Sequence, residues 1–186
     1  FVGAGAAMMV IAPLGFFFGL REYQRNRVLV FLNPEEDPLG TGYHISQSKI
    51  AIGSGGFFGK GFMNGTQSHL DYLPEGHTDF VFATMAEEWG MAGGLFILFL
   101  FYLLIRWGLN VGLNSRSRYG KLVAIGLTAT IFFYIMINLL MVMGLAPVVG
   151  IPLPFISHGG SSMLTIMICI GIIMSIERHP ERRTFN

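Results

Sequence analysis

Leu122-Val-Ala-Ile-Gly-Leu-Thr-Ala-Thr-Ile-Phe-Phe-Tyr-Ile-Met-Ile-Asn-Leu-Leu-Met-Val-Met143 decides the fold class. It carries no Asp, Glu, Lys or Arg, and neither does any later position up to Ile176. A helix needs roughly 20 apolar residues to cross the hydrocarbon of a bilayer, so an uncharged run of this length reads as a membrane span. Working outward, the stretches 1–20, 84–105 and 160–176 are also long and apolar, with Glu87 and Glu88 the charged residues among them, which gives about four spans in all. The whole chain is 52% hydrophobic and 12% charged; soluble domains run to roughly 25% charged. The expected fold is therefore all-α: a polytopic transmembrane helical bundle with one large loop.

The basic residues orient it. The connection 106–121 carries Arg106, Arg116, Arg118 and Lys121 with no acid, and the tail 177–186 carries Arg178, Arg182 and Arg183. Both are expected in the cytoplasm, which puts the loop 21–83 on the outside. Arg21, Arg25 and Arg27 lie just beyond the first span and oppose the rule. Placed outside, they need a task, and holding anionic lipid or pyrophosphate is one. Phe1 follows no methionine and no signal peptide is visible, so the chain reads as a piece that starts within a span.

Several function classes fall away. The net charge is +1 and no basic block is interleaved with aromatics, so a nucleic-acid partner is not expected. The single Cys169 excludes an internal disulfide and any multi-cysteine metal site. In the loop, 43–52 reads as a short amphipathic helix, 53–66 as Gly-rich turns and 67–77 as irregular, while Pro152 and Pro154 make 147–162 an irregular, re-entrant turn.

Gly53-Ser-Gly-Gly-Phe-Phe-Gly-Lys-Gly61 misses a nucleotide P-loop at two positions, Ser54 and Gly61, so no nucleotide is expected. Two readings remain: a flexible turn, or a backbone cradle for pyrophosphate with Lys60 as a point charge. His69-Leu-Asp-Tyr-Leu-Pro-Glu-Gly-His-Thr-Asp79 has three readings. It lacks the His-Glu-x-x-His spacing of a zinc helix, but its carboxylates, near a pyrophosphate, could share a Mg²⁺ or Mn²⁺. It could be a solvated loop in which Thr78 or Asp79 caps the next helix. Or Asp79, between polar loop and hydrocarbon, is a base of strengthened basicity suited to a sugar hydroxyl.

Glu87 and Glu88, two turns into a span, are either functional or interfacial. Asn138 is expected to hydrogen-bond a neighbouring helix. Ser157-His-Gly-Gly-Ser-Ser162 offers helix-N-terminal amides to an anion, with Ser161 among them, or simply close packing.

Four segments together carry a family resemblance: Asn33-Pro-Glu-Glu-Asp-Pro-Leu-Gly-Thr-Gly-Tyr43, Gln47-Ser-Lys-Ile-Ala-Ile-Gly-Ser-Gly-Gly56, Leu73-Pro-Glu-Gly-His-Thr-Asp-Phe80 and Phe155-Ile-Ser-His-Gly-Gly-Ser-Ser162. In this order they resemble the SEDS family of RodA, FtsW and SpoVE, and His158, where FtsW-like members more often carry Tyr, tilts the match toward RodA. The resemblance implies the C-terminal part of a ten-span peptidoglycan glycosyltransferase of the bacterial cytoplasmic membrane. It implies lipid II and the nascent glycan strand as substrates, for cell elongation and rod shape, and a class B penicillin-binding protein as partner. Asp79 matches the family's essential acid and would be the general base, with a divalent cation implicated at the pyrophosphate. Substrate contacts are expected from Lys49, Lys60, Arg21, Glu75, His77, Glu88 and Ser161. The competing functions are a flippase for the same lipid and a non-catalytic scaffold.

Overall fold

Apolar runs without a helix breaker become long helices. The computed structural model describes residues 21–33, 40–69, 76 and 78–178, and no strand occurs among them. The elements in order are α1 (Glu22–Leu32), α2 (Thr41–Ser54), α3 (Thr66–His69), α4 (Val81–Asn114), α5 (Arg118–Val142) and α6 (Gly160–Arg178). Of these, α4, α5 and α6 are long and apolar enough to cross a membrane. The span expected over 1–20 lies outside the described residues.

α5 is the centre of the bundle, packing on α4 along one side and on α6 along another. Its buried Ala124, Ile131 and Ile135 meet Ile97, Phe101 and Val111 of α4 and Ile166 and Ile173 of α6 in one core. Where α4 carries Gly108 and Gly112, the backbones come close enough that a methyl group would press on Thr128 and Ile125 of α5. Small residues four apart serve this purpose between membrane helices. Most large apolar side chains elsewhere on α4 and α6, such as Phe96, Phe99, Leu164 and Ile168, are exposed. In a membrane those faces meet lipid.

The helix α4 overruns the span expected over 84–105 at both ends. It has 34 residues, against the roughly 20 that a hydrocarbon core of about 30 Å requires. Consequently the connection expected over 106–121 is mostly helical, and only 115–117 lie between α4 and α5. Arg106 does not end the helix because a polar side chain leaves the backbone bonds intact; the two asparagines of the last turns even bond each other, Asn114 Nδ2 to Asn110 Oδ1 at 3.0 Å.

The long loop is built as expected over 43–52, where α2 forms, and over the Gly-rich stretch, which is turns. α2 lies against the end of α5: Ser48 Oγ donates to the Val142 carbonyl at 2.7 Å in a buried contact, satisfying one of the helix's orphan acceptors. The Gly-rich stretch has a definite task. α4 breaks at Gly90, whose φ of 68° and ψ of −166° no helix contains. The bonds lost there are restored from outside. Lys60 and Gly61 N–H donate to the Glu87 and Glu88 carbonyls at 3.0 Å each, while Met91 and Ala92 N–H donate to Gly56 and Phe57 carbonyls at 2.9 and 3.1 Å. Both strands of this exchange must be glycine where they touch, since a Cβ on Gly59 or Gly90 would fall on the other's backbone.

Candidate functional site

Asp79 stands in the turn that leads into α4, half-buried. The N-cap position of α4 falls on Phe80, which makes no side-chain cap, so neither Thr78 nor Asp79 is the N-cap residue. Phe80 is buried and its ring lies 6.1 Å from that of His44 in α2, which anchors the turn to the loop's own helix.

Two further elements close on Asp79. From α5, the fully buried Asn138 donates through Nδ2 to the Asp79 carbonyl at 2.8 Å and to the Ile151 carbonyl at 2.7 Å. This differs from the helix-to-helix bond expected, because both acceptors are in irregular segments whose carbonyls have no helix to satisfy them. From the segment after α5, Gly150 adopts φ +78° and lies so close to the carboxylate that a Cβ there would sit 3.1 Å from Asp79 Oδ2. Next to it, the exposed Arg27 of α1 reaches across and donates from Nη1 to the Val149 carbonyl at 2.9 Å. Arg27, Tyr23, Gln24 and Pro147–Val149 border an open cleft of about 440 Å³.

The segment 147–159 is irregular, as its prolines require, and folds on itself: Leu153 is buried, its N–H donating to Ser157 Oγ at 2.7 Å, and Phe155 takes a φ of 67°.

The other expected contacts are dispersed. Lys60 makes an ion pair of 2.6 Å with Glu87 and also donates to Thr66 Oγ1 at 2.9 Å. Glu87 is fully buried and further receives the backbone N–H groups of Thr66 at 2.9 Å and Gln67 at 3.2 Å. In the Gly-rich run the lysine is paired with Glu87 and the amides of 60 and 61 are engaged by α4. Glu88 is half-buried at the kink, its carbonyl accepting from Gly61. Lys49 is exposed with its stem against Gly144, by the C-terminus of α5. Arg21 is exposed ahead of α1, its N–H on Gln24 Oε1 at 3.1 Å. Ser161 is exposed in the first turn of α6 and its carbonyl accepts from Thr165 Oγ1 at 2.9 Å. Glu75 and His77 lie outside the described residues, as does Asp71.

Among the described residues no group of three or more His, Cys, Asp or Glu side chains could hold a metal ion. The residues that sequence reasoning left off the site are Arg27, Asn138 and Gly150. Arg27 was visible only as one of three arginines on the wrong side of the charge rule, and Asn138 as a lone amide in an apolar span.

Three helices fit to cross a membrane, with a carboxylate framed where a polar loop enters one of them, define an integral membrane protein with a candidate acid–base centre. The chain belongs to the FtsW/RodA/SpoVE family, whose model, described as a cell cycle protein, matches residues 1–182. It is 51% identical over 180 residues to the peptidoglycan glycosyltransferase MrdB of Escherichia coli K12, which covers 95% of this chain and 49% of that protein. It is 47% identical over 157 residues to the peptidoglycan glycosyltransferase RodA of Treponema pallidum, covering 84% and 36% respectively. Against stage V sporulation protein E of Bacillus subtilis it is 44% identical over 159 residues, 86% of this chain and 43% of the other.

The fold is likewise that of solved members. A chain of a peptidoglycan synthase complex in which polymerization and crosslinking are coordinated matches with a TM-score of 0.75 at 30% identity, over 97% of this chain and 49% of that one. A mutant RodA of Thermus thermophilus matches with a TM-score of 0.56 at 30% identity, over 73% and 40%. This chain thus spans about half the length of the first curated relatives it matches.

Proposed function

We propose that this chain is the catalytic portion of a peptidoglycan glycosyltransferase that polymerises lipid II at the outer face of the cytoplasmic membrane, with Asp79 as the general base. In the step, the acceptor sugar's 4-hydroxyl gives its proton to the Asp79 carboxylate as its oxygen bonds to the donor's anomeric carbon. The bond from that carbon to the pyrophosphate oxygen breaks, and undecaprenyl pyrophosphate leaves with the electron pair. A base held by its surroundings is worth more than a mobile one, because the geometry of attack is set in advance.

The observation that carries the reading is the framing of Asp79: a half-buried carboxylate in the family's acidic motif, with its carbonyl on Asn138 and its Oδ2 against Gly150. Arg27, exposed beside the adjoining cleft, is the cation best suited to the leaving pyrophosphate, since its planar guanidinium keeps donors in excess of the one used on Val149. It is one of the three outward arginines for which the sequence suggested anionic lipid or pyrophosphate. A RodA-like part in elongation is supported by the higher identity to MrdB and RodA than to the sporulation relative. The solved synthase complex supports a class B penicillin-binding protein as partner.

Translocation of the same lipid leaned on Glu87 and Glu88 within a span. The Glu87 ion pair with Lys60 removes half of that support. The test is the full-length protein reconstituted with its crosslinking partner and fluorescent lipid II. Asp79→Ala is expected to form no glycan polymer, and undiminished polymer in that variant would remove Asp79 as the base.

A further inference from the structure

We infer that Asn138 is the positioning residue of the polymerase site, a single buried amide that sets the Asp79 carboxylate against its wall at Gly150; this rests on the reading of Asp79 as the base. Asn138 is 0% exposed. Its Nδ2 bridges two carbonyls far apart in the chain, Asp79 at 2.8 Å and Ile151 at 2.7 Å. One belongs to the residue that bears the carboxylate. The other follows Gly150, the residue that lies against Oδ2.

A packing asparagine in a membrane helix would satisfy both ends of its amide. Here Oδ1 is buried and has no donor among the described residues. Exchanging the amide's oxygen and nitrogen gives no relief, because an oxygen would then face two carbonyl oxygens. The side chain is thus oriented by the two loops alone. Without it the two bonds that join these segments through one amide are lost, and each loop is free to relax. Displacements of about 1 Å at a reacting group lower rates by about 100-fold, and both hydrogen bonds of Asn138 go to backbone carbonyls.

The test compares wild type, Asn138→Leu, Asn138→Ser and Asp79→Asn in the full-length protein with its partner, on lipid II. Asn138→Leu keeps the volume and removes both donors, so kcat should fall by about 10- to 100-fold while KM stays within about threefold. Asn138→Ser, able to donate to one carbonyl, should lie between. Hydrogen exchange at Asp79 and Phe80 and at Gly150, Ile151 and Leu153 should rise together by about tenfold in Asn138→Leu, with the middle of α5 unchanged. A purely structural role would instead reduce the amount of folded protein and leave kcat per folded molecule at the wild-type value, which would overturn the inference. Should Asn138→Leu fail to fold, wild-type kcat and exchange in Asn138→Ser overturn it equally. If Asp79→Asn still polymerises, it is the base that is misassigned. The exchange data then decide the clamp alone: a joint rise supports it and unchanged exchange overturns it.

Discussion

Replacing Lys60 with alanine should detach the Gly-rich loop from the kink of α4. Lys60 is 28% exposed, whereas its partner Glu87 is fully buried 2.6 Å away. The substitution therefore leaves a carboxylate inside the protein without its counter-charge. Breaking a buried pair in this way costs about 3–5 kcal/mol. The lower end applies, because Lys60 is partly in contact with solvent and the backbone N–H groups of Thr66 and Gln67 still donate to Glu87. About 3 kcal/mol corresponds to roughly a 100-fold larger opening constant for the loop. The amides to watch are those that tie loop to helix: Lys60 or its replacement, Gly61, Met91 and Ala92. Their hydrogen exchange in the detergent-solubilised full-length protein should accelerate by that factor, while Ile131 and Ile135 in the core stay slow. The double variant Lys60→Met, Glu87→Leu should exchange more slowly than Lys60→Ala alone, because two apolar groups leave no stranded charge. Wild-type exchange at all four amides in Lys60→Ala would refute the view of Glu87 as the pin of this loop.

Gly90→Ala should destabilise the same joint by about 1–3 kcal/mol or more, since it adds a methyl group at φ +68° directly onto the backbone of Gly59 and Phe57; thermal unfolding and yield report it, and a wild-type melting temperature would count against the tight joint. Arg27→Ala should lower glycan polymerisation chiefly through a raised KM for lipid II, and Arg27→Lys should restore only part, because an ammonium cannot bond the Val149 carbonyl and a phosphate with a planar fork of donors. Full recovery by lysine, read in the same polymerisation assay, would reduce Arg27 to a general positive charge.

The apolar runs of α5 and α6 were legible because crossing hydrocarbon imposes a length and forbids charge, and both conditions are properties of consecutive residues. The helix 41–54 and the turns that follow it were legible for a similar reason, as was the break at Pro152 and Pro154. Boundaries were less so: nothing local says that α4 continues past Arg106 to Asn114, since a helix tolerates polar side chains until the backbone itself changes course. Asp79 entered as one of three open readings of a polar loop, and the motif resemblance, now matched by the family, singled it out.

Which residues surround Asp79 was not available from the chain in one dimension. Arg27 reaches a carbonyl 122 residues away and Asn138 one that is 59 away. Lys60 looked as good a cation as Arg27 until the fold committed it to Glu87. By itself, then, the amino-acid order determined that this is a helical membrane protein of the RodA type with an acidic loop before a span, because hydrophobic length, charge placement and short motifs are local. Only the tertiary structure decided which amide and which glycine frame Asp79, and which cation meets the neighbouring Val149 carbonyl. Partnership between polar groups depends on how helices pack, and packing is a property of the whole bundle.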